Sequence, residues 1–133
     1  MADSPADRNA LGQGRNFVWH EITTDDVDGS IAFYTGALDF GTIDMPMGDM
    51  GTYRMLTRNG QPICGVTEGQ PGTPPHWAVY LAVDDVDARI AAVQGLGATL
   101  LVPAMDIPTV GRMALIQDPQ GAHIWLFKPV PME

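Results

Sequence analysis

The stretches DDVDGSIAFYTGAL at residues 25–38 and DDVDARIAAVQGLG at residues 84–97 are two copies of one pattern. Behind each Asp-Asp-Val-Asp tetrad the apolar positions keep register, for example Ile31 with Ile90. A repeat of this size is typical of one supersecondary unit used twice, in which each copy needs the other to bury its core. The repeat therefore predicts a duplicated fold.

Each copy predicts an amphipathic helix that begins at an aspartate. An aspartate side chain accepts hydrogen bonds from the unpaired N–H groups of the first turn. Asp25 or Asp26 is expected to cap the first helix, and Asp84 or Asp85 the second. The apolar stripes recur at helical spacing and consist of Val27, Ile31, Tyr34 and Leu38 in the first helix and Val86, Ile90, Val93 and Leu96 in the second.

Strand-like segments around these helices predict the order β-α-β-β-β, used twice. Module one covers about residues 16–68, the linker GQPGTPP covers 69–75, and module two covers about 76–129. Residues 1–15 are polar and aperiodic, which predicts a flexible tail. We expect residues 16–133 to form a single domain of the α+β class.

Three local signals refine the predicted bounds of the helices, strands and loops. Gly41 and, in module two, Gly97 are predicted to end the two helices. Asn59-Gly60 predicts a hairpin turn between two strands. Residues 44–51, with three methionines, two glycines and a proline, predict a mobile loop or a short irregular strand.

Composition bears on the partners and the location of the protein. The formal net charge of −9 disfavours nucleic acid and anionic membranes. The single cysteine, Cys64, cannot form an internal disulfide, so no oxidising compartment is indicated. No stretch reaches the roughly 20 apolar residues of a membrane helix, and the N-terminus has no signal-peptide pattern. A cytoplasmic protein is the expectation.

Strand alternation separates a plain apolar face from a face that mixes aromatic and titratable groups. The first and last strands of the modules place on the mixed face Trp19, Glu21, His76, Tyr80, His123 and Trp125. His20 is expected on the helix side. An aromatic concavity with a few polar groups suits a small-molecule pocket, whereas the same aromatics also suit a second core.

Three segments resemble the glyoxalase/bleomycin-resistance/extradiol-dioxygenase superfamily (vicinal oxygen chelate fold), in particular its WHE-type branch. They are WHEITTDDVDGSIAFYTGALDFG at 19–41, HWAVYLAVDDVDARIAAVQGLGA at 76–98 and DIPTVGRMALIQDPQGAHIWLFKP at 106–129. The resemblance implies a curved, partly closed eight-stranded sheet around a cavity, with the helices outside. It also implies that two chains pair as a homodimer.

The resemblance further implies where a metal would be held. Metal-using members carry a His or Glu ligand on the first and last strand of each module, and the positions that match here are Trp19, Ala78, Cys64 (or Gly65) and Trp125. Tryptophan and alanine do not ligate hard divalent cations. We therefore expect no cofactor. The alternative is a displaced site of Glu21, His76 and His123, which has the donor set of a divalent metal such as Fe, Zn, Ni or Mn.

Three functions from different classes follow. The first is a binding protein for a small aromatic or apolar molecule, whose expected contacts are Trp19, Glu21, Cys64, His76, Tyr80, His123 and Trp125. The second is a lyase, isomerase or dioxygenase-type enzyme, either through the displaced metal or with Glu21 as a desolvated general base or acid. In the plainer interpretation Glu21 binds Arg54, Arg112 or a backbone N–H and only holds strands together. An interaction protein with a filled cavity is the third possibility.

Overall fold

The computed structural model of the chain describes residues 16–130, so the predicted tail at 1–15 lies outside the described part. Within that range the β-α-β-β-β order occurs twice, which confirms the α+β class and the duplication. Module one consists of β1 (Phe17–Thr24), α1 (Val27–Ala37), β2 (Gly41–Pro46), β3 (Thr52–Arg58) and β4 (Gln61–Glu68). Module two consists of β5 (His76–Ala82), α2 (Val86–Gly95), β6 (Thr99–Ile107), β7 (Gly111–Gln117) and β8 (His123–Pro129).

The two modules have the same strand arrangement. In module one the order is β2-β3-β4-β1, where β4 and β1 are parallel and the other pairs antiparallel. In module two the order is β6-β7-β8-β5, again with one parallel pair, β5 with β8. The contacts between residues divide the chain into two compact units. One unit consists of residues 19–78, and the other combines residues 16–18 with residues 79–130. No helix among the described residues is long and apolar enough to span a membrane.

The tetrads have the same two roles in both modules. The second aspartate is the N-cap: Asp26 accepts from the Gly29 N–H at 2.9 Å, and Asp85 accepts from the Ala88 N–H at 3.0 Å. Since these bonds satisfy first-turn donors, they explain why each helix begins there. The prediction of helix caps is confirmed, and the choice within each pair falls on the second residue.

The third aspartate of each tetrad, its fourth residue, binds an arginine on the third strand of its module. Asp28 lies 2.9 Å from Arg54, and Asp87 lies 3.0 Å from Arg112. Each arginine also binds an aspartate on the neighbouring strand. Arg54 lies 2.7 Å from Asp44, and Arg112 lies 3.0 Å from Asp106. The repeat therefore preserves a surface ion-pair cluster as well as a helix start.

Each helix covers an apolar core of its own module. The buried members are Ile22, Ile31, Leu56, Cys64 and Val66 in module one, and Val83, Val86, Ile90, Ala114, Ile116 and Leu126 in module two. The predicted stripes are correct except at their last positions, because Leu38 and Leu96 are 48% and 82% exposed. Both are C-cap residues, so each helix ends one residue before the last position of its predicted stripe.

Two further predictions for module one need correction or refinement. Gly41 does not end α1; the helix ends at Ala37, and Gly41 begins β2. The methionine-rich segment at 44–51 is the end of a regular strand followed by a turn: its first three residues complete β2 and pair with β3, and Gly48–Met50 form a short 3₁₀ helix. The hairpin at Asn59-Gly60 is confirmed, and both residues have positive φ, 55° and 78°, as a two-residue turn requires.

Candidate functional site

The face of module one's sheet opposite α1, here called the helix-free face, carries a hydrogen-bonded chain of three side chains. Trp19 Nε1 donates to Tyr53 Oη at 2.9 Å, and Tyr53 Oη donates to Glu21 Oε2 at 2.6 Å. Trp19 and Glu21 share a face because they are two residues apart on β1, whereas Ile22 points into the core. We call these three residues the Trp-Tyr-Glu chain.

Glu21 is a buried acid, with only 8% of its surface exposed. Burying a carboxylate is costly unless hydrogen bonds stabilise it, and the Tyr53 phenol supplies one of the short, charge-assisted kind. Burial, and next the charge of Glu21, raise the pKa of Tyr53 well above its usual range, so the phenol keeps its proton. The pair thus consists of a phenol donor and a carboxylate acceptor.

Gly65 provides the room for the Tyr53 hydroxyl. It lies beside Glu21 in the β1–β4 pairing, and a Cβ at this position would overlap the hydroxyl of Tyr53. An isolated glycine within a strand often marks such a close approach. From the sequence, Gly65 was considered only as a metal-ligand position and Tyr53 was not among the predicted site residues, although a glycine within a strand was the available signal.

Module two has the opposite arrangement at the matching positions. Tyr80, which pairs with Trp125, stands where module one has Glu21 paired with Gly65. Gly111, which precedes Arg112, stands where module one has Tyr53 before Arg54. The Tyr80 and Trp125 rings stack with centroids 5.3 Å apart and planes 8° apart, and Phe127 packs edge-on against Tyr80. The helix-free face of module two is therefore aromatic, whereas that of module one is polar.

Cys64 was expected among the ligand contacts, and the structure places it elsewhere. It is 4% exposed and belongs to the core beneath α1, with Ile31 and Leu56. Burial raises the pKa of its thiol, with a small further contribution from the charge of Glu21. Gly65, the neighbouring residue, is the β4 position beside Glu21.

The three residues of the displaced metal site differ in their surroundings. His76 is exposed and its Nδ1 lies 2.9 Å from the Pro74 carbonyl oxygen, His123 is exposed, and Glu21 is buried. Across residues 16–130, no group of three His, Cys, Asp or Glu side chains is placed to hold a metal ion.

The positions of the superfamily's metal ligands do not fit a cation either. The resemblance gives these positions as Trp19, Ala78, Cys64 (or Gly65) and Trp125. Tryptophan, alanine and glycine side chains offer no oxygen, imidazole or thiolate donor, and the Cys64 thiol is buried in the core beneath α1. The donor set of this chain thus disagrees with the metal centre that the superfamily implies.

The plainer interpretation of Glu21 named Arg54, Arg112 or a backbone N–H as its partner. Both arginines bind surface aspartates.

A concavity of about 640 Å³ lies at the linker and is lined by Thr24, Asp25, Glu68 and residues 69–75. Its lining has two carboxylates and no aromatic ring, unlike the pocket that the sequence predicts.

Comparisons with known proteins agree with this architecture. The chain is 38% identical over 117 residues to "Putative glyoxylase CFP32" of Mycobacterium bovis, covering 87% of this chain and 45% of that protein. It is 29% identical over 130 residues to "Anthracycline biosynthesis protein DnrV" of Streptomyces peucetius, covering 86% and 47%. The chain thus spans about half the length of these relatives.

A solved structure shows the same fold. Methylmalonyl-CoA epimerase from Mycobacterium tuberculosis matches with a TM-score of 0.59 and 18% identity, over 87% of this chain and 89% of the enzyme. The sequence pattern of one superfamily matches residues 16–126, which is most of the chain. The chain therefore belongs to the Glyoxalase/Bleomycin resistance protein/Dioxygenase superfamily.

Proposed function

We propose that the protein binds a small organic molecule on the helix-free face of module one, through Trp19, Glu21 and Tyr53, without a metal at the superfamily's ligand positions. One observation carries this proposal. A carboxylate that is 8% exposed lies in a hydrogen-bonded chain that includes Trp19, a position that the resemblance gives for a metal ligand of the superfamily. Binding sites combine apolar rings with a few fixed polar groups, and the Trp-Tyr-Glu chain has this composition.

The relatives support a small organic ligand. One is named a putative glyoxylase and another an anthracycline biosynthesis protein. The Trp-His-Glu triplet at residues 19–21 also fits the WHE-type branch that the sequence resembles. Tyr80 and Trp125 were expected to contact ligand; because their rings stack on each other, we propose that they offer an apolar wall in module two rather than a clamp.

Tryptophan fluorescence tests the binding site with planar compounds such as 2-naphthol and quinoline. We expect quenching that persists in the presence of a chelator and is lost in Trp19→Phe. Trp77→Phe is the matched control, since Trp77 is 49% exposed and packs on Tyr34 of α1, away from Glu21. Equal quenching in wild type and Trp19→Phe contradicts the proposed site, and a stoichiometric metal in the purified protein contradicts its metal-free character.

The second candidate is an acid–base enzyme, and the short Tyr53–Glu21 hydrogen bond favours it. A buried carboxylate beside a phenol resembles the general bases that remove a proton next to a carbonyl group. NMR in D₂O would follow exchange of such protons in a panel of carbonyl compounds. Exchange that is lost in Glu21→Gln and retained in Glu68→Gln, an exposed acid at the end of β4, supports catalysis; equal exchange in both variants removes Glu21 from it.

We also propose that two chains pair and that the protein is cytoplasmic. The length comparison supports pairing, because the relatives are about twice as long as the matched region. Sedimentation equilibrium tests it directly: a dimer mass is expected, and a monomer mass at all concentrations contradicts it.

A further inference from the structure

We propose that the connection between β2 and β3 of module one binds a soft monovalent metal ion, Cu(I) or its analogue Ag(I), through the thioethers of Met45, Met47 and Met50. Residues 45–50 are here called the methionine turn. The proposal is independent of the proposed organic-ligand site, because it uses no residue of the Trp-Tyr-Glu chain. It also lies outside the ligand positions that the superfamily implies.

The three methionines are close together along the chain. The methionine turn reads Met-Pro-Met-Gly-Asp-Met, so three of the eight methionines of the chain lie within six residues. Residues Gly41–Pro46 form a strand, in which the chain advances about 3.3 Å per residue. The Cα atoms of Met45 and Met47, on either side of Pro46, are therefore roughly 6.6 Å apart.

Backbone hydrogen bonds bring the third methionine to the other two. The Met50 N–H donates to the Met47 carbonyl oxygen at 3.1 Å, and residues that close such a turn have Cα atoms less than about 7 Å apart. The Met47 N–H donates to the Gly51 carbonyl oxygen at 2.7 Å, which continues the β2–β3 pairing into the turn. One hydrogen-bonded piece of backbone thus carries all three thioethers.

The side chains of the methionine turn do not fill a core. Met45 is 38% exposed and Met50 is 59% exposed, while Met47 is half-buried. Met55 on β3 is, by contrast, 7% exposed. Within the described part of the chain, neither module's core includes a methionine of the turn. These thioethers are therefore accessible to an ion from solvent.

The chemistry of the thioether selects the ion. Its sulfur is neutral and polarisable, and such soft donors favour Cu(I), whereas carboxylate and carbonyl oxygens suit Mg, Ca and Mn. The methionine side chain is unbranched and has three rotatable bonds. Three sulfurs on Cα atoms about 6–7 Å apart can therefore turn toward one ion while the backbone stays in place.

Charge favours a cation at this turn, and the repeat does not reproduce the motif. Asp49 lies inside the methionine turn, in a chain whose formal net charge is −9. In module two the connection between β6 and β7 consists of Pro108, Thr109 and Val110. Since this connection has no methionine, we assign the ion to module one alone.

Methyl ¹³C–¹H spectra of the methionines test the site in the full chain, with silver nitrate in chloride-free buffer as the probe. We expect the methyl signals of Met45, Met47 and Met50 to move together and to saturate at one ion per chain. The signals of Met55 and Met105 should stay in place. Zn(II) should leave all of these signals unchanged, because zinc is bound by thiolate, imidazole and carboxylate ligands.

Leucine substitutions separate the sulfur from the size of the side chain. Met47→Leu and Met50→Leu keep the volume nearly constant and should each weaken Ag(I) binding at least about tenfold in isothermal titration calorimetry. Met105→Leu is the matched control, since Met105 is 39% exposed on β6 and lies outside the turn. Its affinity for Ag(I) should equal that of the wild type.

A pH series separates the thioethers from Cys64, the other soft donor of the chain, which is 4% exposed. A thioether has no proton to release, so the affinity for Ag(I) should be the same at about pH 6 and about pH 8. A thiolate site would bind more tightly at the higher pH.

The proposal is wrong if excess Ag(I) leaves the three methyl signals in place, or if Met105 responds as they do. It is also wrong if both leucine variants of the turn bind Ag(I) as tightly as the wild type, or if the affinity rises with pH. The comparison of methyl signals uses only the wild-type protein, so it decides the question without any variant. None of these results bears on the organic-ligand site, which is tested by tryptophan fluorescence.

Discussion

Gly65→Ala is the substitution that tests the site's geometry most directly. A Cβ at Gly65 would occupy the place of the Tyr53 hydroxyl. The clash involves the far end of a side chain, so we expect the Tyr53 ring to swing away while the backbone of β4 stays in place. Gly65 has no positive φ, and alanine is therefore acceptable to its backbone.

The cost comes from the hydrogen bonds that Tyr53 gives up. Its bond to the buried Glu21 carboxylate contributes about 1.5–3 kcal/mol, and its bond from Trp19 about 0.5–1.5 kcal/mol. Alanine recovers about 0.4–1 kcal/mol by restricting the unfolded chain. The expected net loss in the free energy of unfolding is about 2–3 kcal/mol, which lowers Tm by roughly 5–10 °C for a chain of this length.

Urea denaturation followed by circular dichroism measures this loss. Gly36→Ala is the matched control: Gly36 lies inside α1 with nothing within 4 Å of its added Cβ, and alanine there should stabilise the protein by about 0.5–1 kcal/mol. In a Tyr53→Ala background the obstacle is gone, so Gly65→Ala should become neutral or slightly stabilising. A Gly65→Ala protein as stable as wild type, or equally destabilised in both backgrounds, would refute the proposed role of Tyr53.

Four other substitutions probe the repeat and the core. Asp26→Ala and Asp85→Ala each remove an N-cap bond and should each lower the free energy of unfolding by about 1 kcal/mol in thermal melts; a marked difference between them contradicts equivalent caps. Arg112 lowers the pKa of Asp87 below its ordinary 3.8, so their contribution to stability is complete above that pH and is lost as the pH falls through the lowered value. Arg112→Ala should therefore destabilise slightly near neutral pH and not in strong acid, which a pH series of melts measures, and an equal effect at both ends excludes the ion pair as its cause. Leu56→Ala empties a site with 0% exposure and should cost about 2–5 kcal/mol in urea denaturation; a loss below 1 kcal/mol would show that the core collapses around it.

The duplicated architecture was predictable because its signals are local. A capping aspartate, an apolar stripe at helical spacing and an Asn-Gly turn act within a few residues of chain, so the sequence indicates helix starts and the β3–β4 hairpin directly. The errors fall at the ends of elements: Leu38 and Leu96 continue the stripe in sequence, although the backbone has already left the helix. Periodicity carries no information about where the last hydrogen bond forms.

The faces of the strands were also predictable, since alternation put Trp19 and Glu21 opposite the helix. What this pattern cannot supply is the pairing partner across the sheet. Cys64 and Gly65 differ by one residue, and only the register with Glu21 shows which of them lies beside it. A shift of the strand register by one residue exchanges the two faces of the sheet. Only the tertiary structure therefore decides which of two adjacent residues lies beside Glu21.

By itself, the sequence determined the class of fold, the two modules, the helix caps and the polar character of module one's first strand. The tertiary structure alone decided that Tyr53 reaches Glu21 from a strand 32 residues away, over a glycine that leaves room for its hydroxyl. It also decided that, among residues 16–130, no three His, Cys, Asp or Glu side chains are placed together to hold a metal ion. The physical reason is that helix starts and strand faces depend on neighbouring residues, whereas a site of three side chains depends on register between distant strands.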